Sequence, residues 1–155
     1  MNLLKISFLI ALINVYASRP HYLQILHPVK WEFRVNKISS TTYQFHAIAL
    51  LDYSWHIYSR LQPDNAVSTP TQISFDKTPD IQIIGYPREI GTLIKFVDKQ
   101  NNIGANEYSK RVDFVQIIKV SKTKAVTLSG KVTFQVCTDR QCLPPDEQVF
   151  RMSIE

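Results

Sequence analysis

Trp31-Glu32-Phe33-Arg34-Val35 alternates apolar and charged side chains one for one. Successive side chains of an extended chain point to opposite faces, so this stretch puts three apolar groups on one side and two charges on the other. The next stretch repeats the pattern, with Tyr43, Phe45, Ala47 and Ala49 alternating around Gln44 and His46. The period is two, and the expectation is a half-buried β-strand in each case.

Similar runs occupy Gln72–Phe75, Ile81–Tyr86, Thr92–Val97, Arg111–Val120, Ala125–Cys137 and Gln148–Ile154. They are rich in Val, Ile, Thr, Phe and Tyr, residues that suit a pleated, half-buried surface. Turn-like spacers separate them at Asn36–Thr42, Gln62–Pro70, Thr78-Pro79-Asp80, Asp98–Asn106 and Ser121–Lys124. No window of about ten residues has the apolar stripe of an amphipathic helix. Eight or nine short strands at this spacing predict an all-β domain, an immunoglobulin-like β-sandwich, with a small barrel as the alternative. The long-range disulfide of immunoglobulin domains is missing, because both cysteines lie in one stretch near the C-terminus. The apolar inner faces must therefore hold the sandwich together.

The chain begins differently. Lys5 precedes the apolar run Ile6–Ile13, and Asn14-Val15-Tyr16-Ala17 follows it. A basic start, a short apolar run and small residues at the end are the pattern of a secretory signal peptide, with cleavage expected after Ala17. The run is shorter than the ~20 residues that span a bilayer. Residues 1–17 are thus expected to be a signal peptide and 18–155 a single exported, soluble domain. The net charge is +5, scattered rather than clustered. No basic stripe interleaved with aromatics points to nucleic acid. No Ser/His/Asp order, paired-carboxylate motif or glycine-rich loop points to hydrolysis or nucleotide chemistry.

Chemistry concentrates in Val136-Cys137-Thr138-Asp139-Arg140-Gln141-Cys142-Leu143-Pro144-Pro145. A strand runs into Cys137, four polar residues follow, and two prolines after Cys142 stop regular pairing. A hairpin-like loop of this length brings two cysteines face to face, within reach of a disulfide. An exported protein sits where such a bond can form. Spacing alone leaves three readings open: a staple, a redox-active pair, or half of a metal site. As a staple the loop is poorly placed, since closing so short a loop stabilises by only about 2 kcal/mol. A metal needs further ligands, and His21, His27, His46 and His56 show no ligand spacing with the cysteines.

The run Cys137-x4-Cys142-Leu143-Pro144-Pro145, after a Val-Thr-Phe strand and before Gln148-Val149-Phe150, resembles the periplasmic N-terminal domain of the thiol:disulfide interchange protein DsbD, especially the stand-alone disulfide bond corrector proteins. His27-Pro28-Val29-Lys30-Trp31 resembles that family's first strand, and Trp55-His56-Ile57-Tyr58-Ser59 its aromatic strand beside the cysteines. The resemblance runs from about His27 to Ile154. It implies an immunoglobulin-like sandwich that carries reducing equivalents across the periplasm by thiol–disulfide exchange and needs no cofactor. It implies thioredoxin-like periplasmic proteins and a DsbD-type membrane reductase as partners. Full-length interchange proteins continue into membrane and thioredoxin-like domains, so the resemblance implies that this chain, ending at Glu155, exchanges electrons with a separate protein.

By position, Cys142 matches the cysteine that forms the mixed disulfide and Cys137 its resolving mate. The family's cap loop, which shields the cysteines with an aromatic near a glycine, corresponds to Asn101-Asn102-Ile103-Gly104. The aromatic is absent there, and Ile103 beside Gly104 is expected to replace it. His56 and Tyr58 either shape the site or pack as cross-strand aromatics. Asp139 disfavours a thiolate beside it and Arg140 favours one. Two other functions stay open: a non-catalytic binding sandwich with a structural disulfide, and a chaperone-like subunit that pairs through a strand edge.

Overall fold

The computed structural model describes residues 26–121 and 125–155. The expected signal peptide, 1–17, lies outside the described residues. Nine antiparallel strands and no helix occur among the described residues: β1 Val29–Lys37, β2 Thr42–Leu51, β3 His56–Tyr58, β4 Gln72–Phe75, β5 Ile81–Asp98, β6 Ile103–Val120, β7 Val126–Phe134, β8 Val136–Cys137 and β9 Asp146–Ile154.

β6 organises the larger sheet. One edge pairs along its length with β5, from Ile81 opposite Val120 to Asp98 opposite Ile103. The other edge is shared end to end. β2 takes Arg111 to Lys119, and β3 takes Glu107 to Ser109. The handover falls at Lys110, whose positive φ of 64° bends the strand between the two partners. β1 lies outside β2, and β8 outside β3. The second sheet runs β4-β7-β9.

The sheets pack face to face as the alternation requires. Tyr43, Phe45 and Ala47 of β2 are buried while Gln44 and His46 point away. Phe45 reaches Phe150 of β9 at 4.6 Å between ring centroids and Phe75 of β4 at 5.3 Å. Trp31 reaches Phe134 of β7 at 5.2 Å. Each fully buried ring contributes roughly 1.5–3 kcal/mol relative to exposure. Gly130 on β7 permits the closest approach, because a Cβ there would run into the Ser74 carbonyl and the Phe150 ring. The fold is the expected immunoglobulin-like β-sandwich, with no long-range disulfide among the described residues.

Three runs and one spacer differ in detail. Ile81–Tyr86 and Thr92–Val97 belong to one long strand, β5, whose register shifts between Ile84 and Arg88 and again between Gly91 and Leu93. Ala125–Cys137 divides at Gln135, where the chain leaves one sheet and joins the other. The stretch Asp98–Asn106 is mostly strand, its turn confined to residues 99–102. Alternation continues from Phe134 through Gln135 to Val136, so the pattern carries no mark of that change of sheet.

Candidate functional site

β8 is only two residues long, yet it fixes the cysteines. Its Val136 pairs with Ile57, and its Cys137 with His56, on the edge of the larger sheet. The chain then turns through Asp139 and Arg140. The Thr138 N–H donates to the Gln141 carbonyl at 2.8 Å, and the Leu143 N–H donates to the Val136 carbonyl at 3.0 Å. The turn's own amides, from Arg140 and Gln141, both donate to the Thr138 hydroxyl at 3.2 Å. Between the two backbone bonds Cys137 and Cys142 form a non-hydrogen-bonded antiparallel pair, the closer of the two cross-strand spacings. Their Cα atoms lie 4.0 Å apart and their sulfurs are joined in a disulfide.

The two cysteines differ in exposure. Cys137 is 1% exposed and packs with Tyr58 and Ala105, whereas Cys142 is exposed. Ile57 faces the sandwich core, so its neighbours His56 and Tyr58 face the other way, onto the outer side of the sheet. Cys137 lies on that same side. The Tyr58 hydroxyl is 4.0 Å from the Cys142 sulfur, and because a disulfide sulfur carries no proton, the phenol is the donor. Burial, and then the Glu107 carboxylate, push the phenol above its ordinary pKa and keep it protonated.

Glu107 is the cross-strand partner of Tyr58 and meets His56 at 3.3 Å. Burial raises its pKa above the ordinary carboxylate value, His56 opposes that rise and Asp139 adds to it. Asp139 therefore faces this polar group from the turn. With Phe96, Ile103, Val67 and Ser68 these residues line a cleft of about 220 Å³ beside the disulfide.

His56, Tyr58, Ile103 and Gly104 all border this cleft. Ile103 and Gly104 sit at the start of β6 rather than in a loop. Gly104 is buried under residues 59–71, a strap that crosses from β3 to β4; a Cβ there would lie 2.7 Å from Asn65 Oδ1 and 3.0 Å from Pro63 Cγ. Beyond the Ser59 N–H, which donates to the Asn106 carbonyl at 2.8 Å, side chains hold the strap in place of strand ladders. Gln62 donates to the Asn106 carbonyl at 2.6 Å and accepts from the Asn106 N–H at 3.0 Å. Asn65 donates to the Asn102 carbonyl at 3.1 Å, and Thr71 to the Tyr58 carbonyl at 2.6 Å.

Phe96, Glu107 and Gln135 were not anticipated. Phe96 supplies an aromatic to the cleft from β5, opposite Ala105. The hairpin count that pairs Asp98 with Ile103 also pairs Phe96 with Ala105, so its place follows once the turn is fixed at 99–102. Glu107 and Gln135 carry no such local signal.

No family model matches the chain, and no curated protein matches its sequence. Among solved structures it is similar to the DsbD N-terminal domain of Neisseria meningitidis in the reduced form, at TM-score 0.52 and 12% identity, over 81% of this chain and 85% of that one. It is also similar to the N-terminal periplasmic domain of ScsB from Proteus mirabilis, at TM-score 0.55 and 15% identity, over 86% of this chain and 48% of that one. The chain thus spans about half the length of the ScsB domain. Among the described residues no helix is long and apolar enough to cross a membrane. The chain therefore carries the fold of the DsbD N-terminal domain, an immunoglobulin-like β-sandwich, with a cysteine pair joined at the edge of its larger sheet.

Proposed function

We propose that this chain is a periplasmic thiol–disulfide exchange module. It relays reducing equivalents between a thioredoxin-like protein or a DsbD-type membrane reductase and a periplasmic acceptor. The observation that carries this reading is the asymmetry of the pair: an exposed Cys142 on the rim and a Cys137 that is 1% exposed beneath Tyr58 and Ala105. A staple needs no such difference, and this one closes a loop of four residues for about 2 kcal/mol. Exchange needs one sulfur that a partner can approach in line and a second that is protected until the first has reacted.

In this reading Cys142 forms the mixed disulfide and Cys137 resolves it. His56 and Tyr58 order the sulfurs, with the Tyr58 hydroxyl as donor to Cys142. Ile103, beside Gly104 and with the Phe96 ring added, covers the cleft and takes the part of the cap. The exported domain comprises residues 18–155 after loss of a signal peptide, 1–17; the intact mass of the exported protein checks that boundary. The ScsB neighbour is a periplasmic domain, which fits an oxidising compartment.

Equilibration in glutathione redox buffers tests the proposal. An exchange pair has a reduction potential above about −300 mV, the level below which structural bridges usually sit. A pair that stays oxidised throughout that range belongs to the other reading, a binding sandwich with a structural disulfide.

A further inference from the structure

Gln135 is the residue at which the chain changes sheets. Phe134 before it closes β7 opposite Asp146, and Val136 after it opens β8 opposite Ile57. Its side-chain amide does not point to solvent as a linker residue's usually does. Oε1 accepts from the Thr69 N–H of the strap at 2.9 Å, and Nε2 donates to the Leu143 carbonyl at 3.1 Å. Both partners are backbone groups outside the strands. The Thr69 bond holds one end of the amide and so fixes which atom faces Leu143.

Leu143 directly follows the exposed cysteine. After it come Pro144 and Pro145, which have no N–H to give. Of the three residues after Cys142, only Leu143 can donate a backbone bond, and it gives one to Val136. Its carbonyl is taken by Gln135. We infer that Gln135 is a positioning residue, whose amide holds the Leu143 arm so that Cys142 stays within reach of Cys137 when the two are not bonded to each other. The inference rests on the exchange reading proposed above.

The step it serves is resolution. In the mixed disulfide Cys142 is bonded to a partner sulfur and Cys137 is a free thiolate. The Cys137 sulfur attacks the Cys142 sulfur, the Cys137–Cys142 bond forms, and the bond to the partner breaks. The partner leaves as a thiolate with the bonding pair. Over the complete cycle two electrons and two protons pass from this pair to the partner's disulfide. At the mixed-disulfide stage the arm is held by the Thr138–Gln141 bond, the Leu143–Val136 bond and the Gln135 grip. Loosening the grip lowers the effective molarity of one sulfur toward the other.

The test compares wild type with Gln135→Met and Gln135→Glu. Methionine removes both bonds; glutamate keeps an acceptor for Thr69 and removes the donor to Leu143. Thiol content at equilibrium in graded dithiothreitol and glutathione buffers gives the effective molarity of the pair. Both variants are expected to lower it about fivefold, the worth of one net hydrogen bond. Urea unfolding of the oxidised proteins is read alongside, since a merely structural residue would shift that midpoint and leave the effective molarity unchanged. An unchanged effective molarity in either variant overturns the inference, as does a fall in Gln135→Met alone, which would assign the effect to the strap. If Gln135→Met does not fold, Gln135→Glu decides by the same criterion. If Gln135→Glu does not fold, Gln135→Lys, which keeps a donor for Leu143 and loses the acceptor for Thr69, takes its place, and a fall there as large as in Gln135→Met overturns the inference. The ratio to wild type is read in either buffer. A wild-type pair reducible only by dithiothreitol counts against the exchange reading, whereas equal values for wild type and variants count against Gln135 alone.

Discussion

Phe45 and Cys137 are buried alike, at 0% and 1% exposed, in two surroundings that share almost nothing. Around Phe45 stand the rings of Phe33, Phe75 and Phe150, contributed by three strands of both sheets. Cys137 packs with one ring, Tyr58, and one methyl, Ala105, and the cleft beside it is lined by polar groups: His56, Glu107 and the turn residues Thr138 and Asp139. Rings pack without regard to direction, and such a region opens only when the whole sandwich does. Hydrogen-bonded straps are held bond by bond and can open locally at lower cost. The fold thus has a region that resists change and a region that, in the proposed function, admits a partner.

The largest effects expected from this contrast fall on stability. Phe45→Ala should destabilise by roughly 3–5 kcal/mol. Replacing both cysteines by alanine should cost only about 2 kcal/mol, because the loop they close is so short. Urea unfolding of the two variants ranks them directly. If the cysteine variant lost as much as Phe45→Ala, the disulfide would be a main support of the fold and the contrast would fail.

Next in size are changes at the cleft. Ile103→Ala and Phe96→Ala are each expected to speed reduction of the disulfide by a small thiol a few-fold, with little change in the urea midpoint, since Phe96 is already 49% exposed. Unchanged rates in both would mean that neither side chain covers the sulfurs.

The smallest effect concerns Glu107 and depends on pH. Burial lifts its pKa above the ordinary 4.5, so the folded protein binds the proton more readily than the unfolded chain. Its favourable contribution is complete below 4.5 and is lost as pH rises through the lifted value. Glu107→Gln should therefore be more stable than wild type at pH 7, and the advantage should fade on acidification. Urea midpoints at neutral and acid pH check the sign. A loss at pH 7 would mean that the His56 pair outweighs the cost of burial.

The same contrast explains what could be read from the sequence. Alternation in β1 and β2 is a local property of neighbouring residues, and it gave the core face of each strand. The cysteine hairpin is local too, since Thr138 and Gln141 are three residues apart and satisfy one another. The strap is not local. Gln62 meets Asn106 across 44 residues, Asn65 meets Asn102 across 37, and Thr69 meets Gln135 across 66. Polar side chains that pair at such separations have no period, so Gln62–Pro70 reads only as a turn-like spacer. Gln135 was hidden for a related reason. Alternation continues through it from β7 into β8, while the sheet to which the residues belong changes. Phe96 lay within an expected strand, but its place at the cleft depended on the length of the turn that follows.

In the proposed function the two sulfurs have divided roles, and trapping of mixed disulfides tells them apart. Cys137→Ala and Cys142→Ala, each mixed with an oxidised thioredoxin-like partner, are run on a non-reducing gel. Cys137→Ala is expected to accumulate a stable mixed disulfide through the exposed Cys142, because nothing remains to resolve it. Cys142→Ala is expected to trap little, because Cys137 is 1% exposed. Equal trapping by both variants, or trapping by Cys142→Ala alone, would contradict the account.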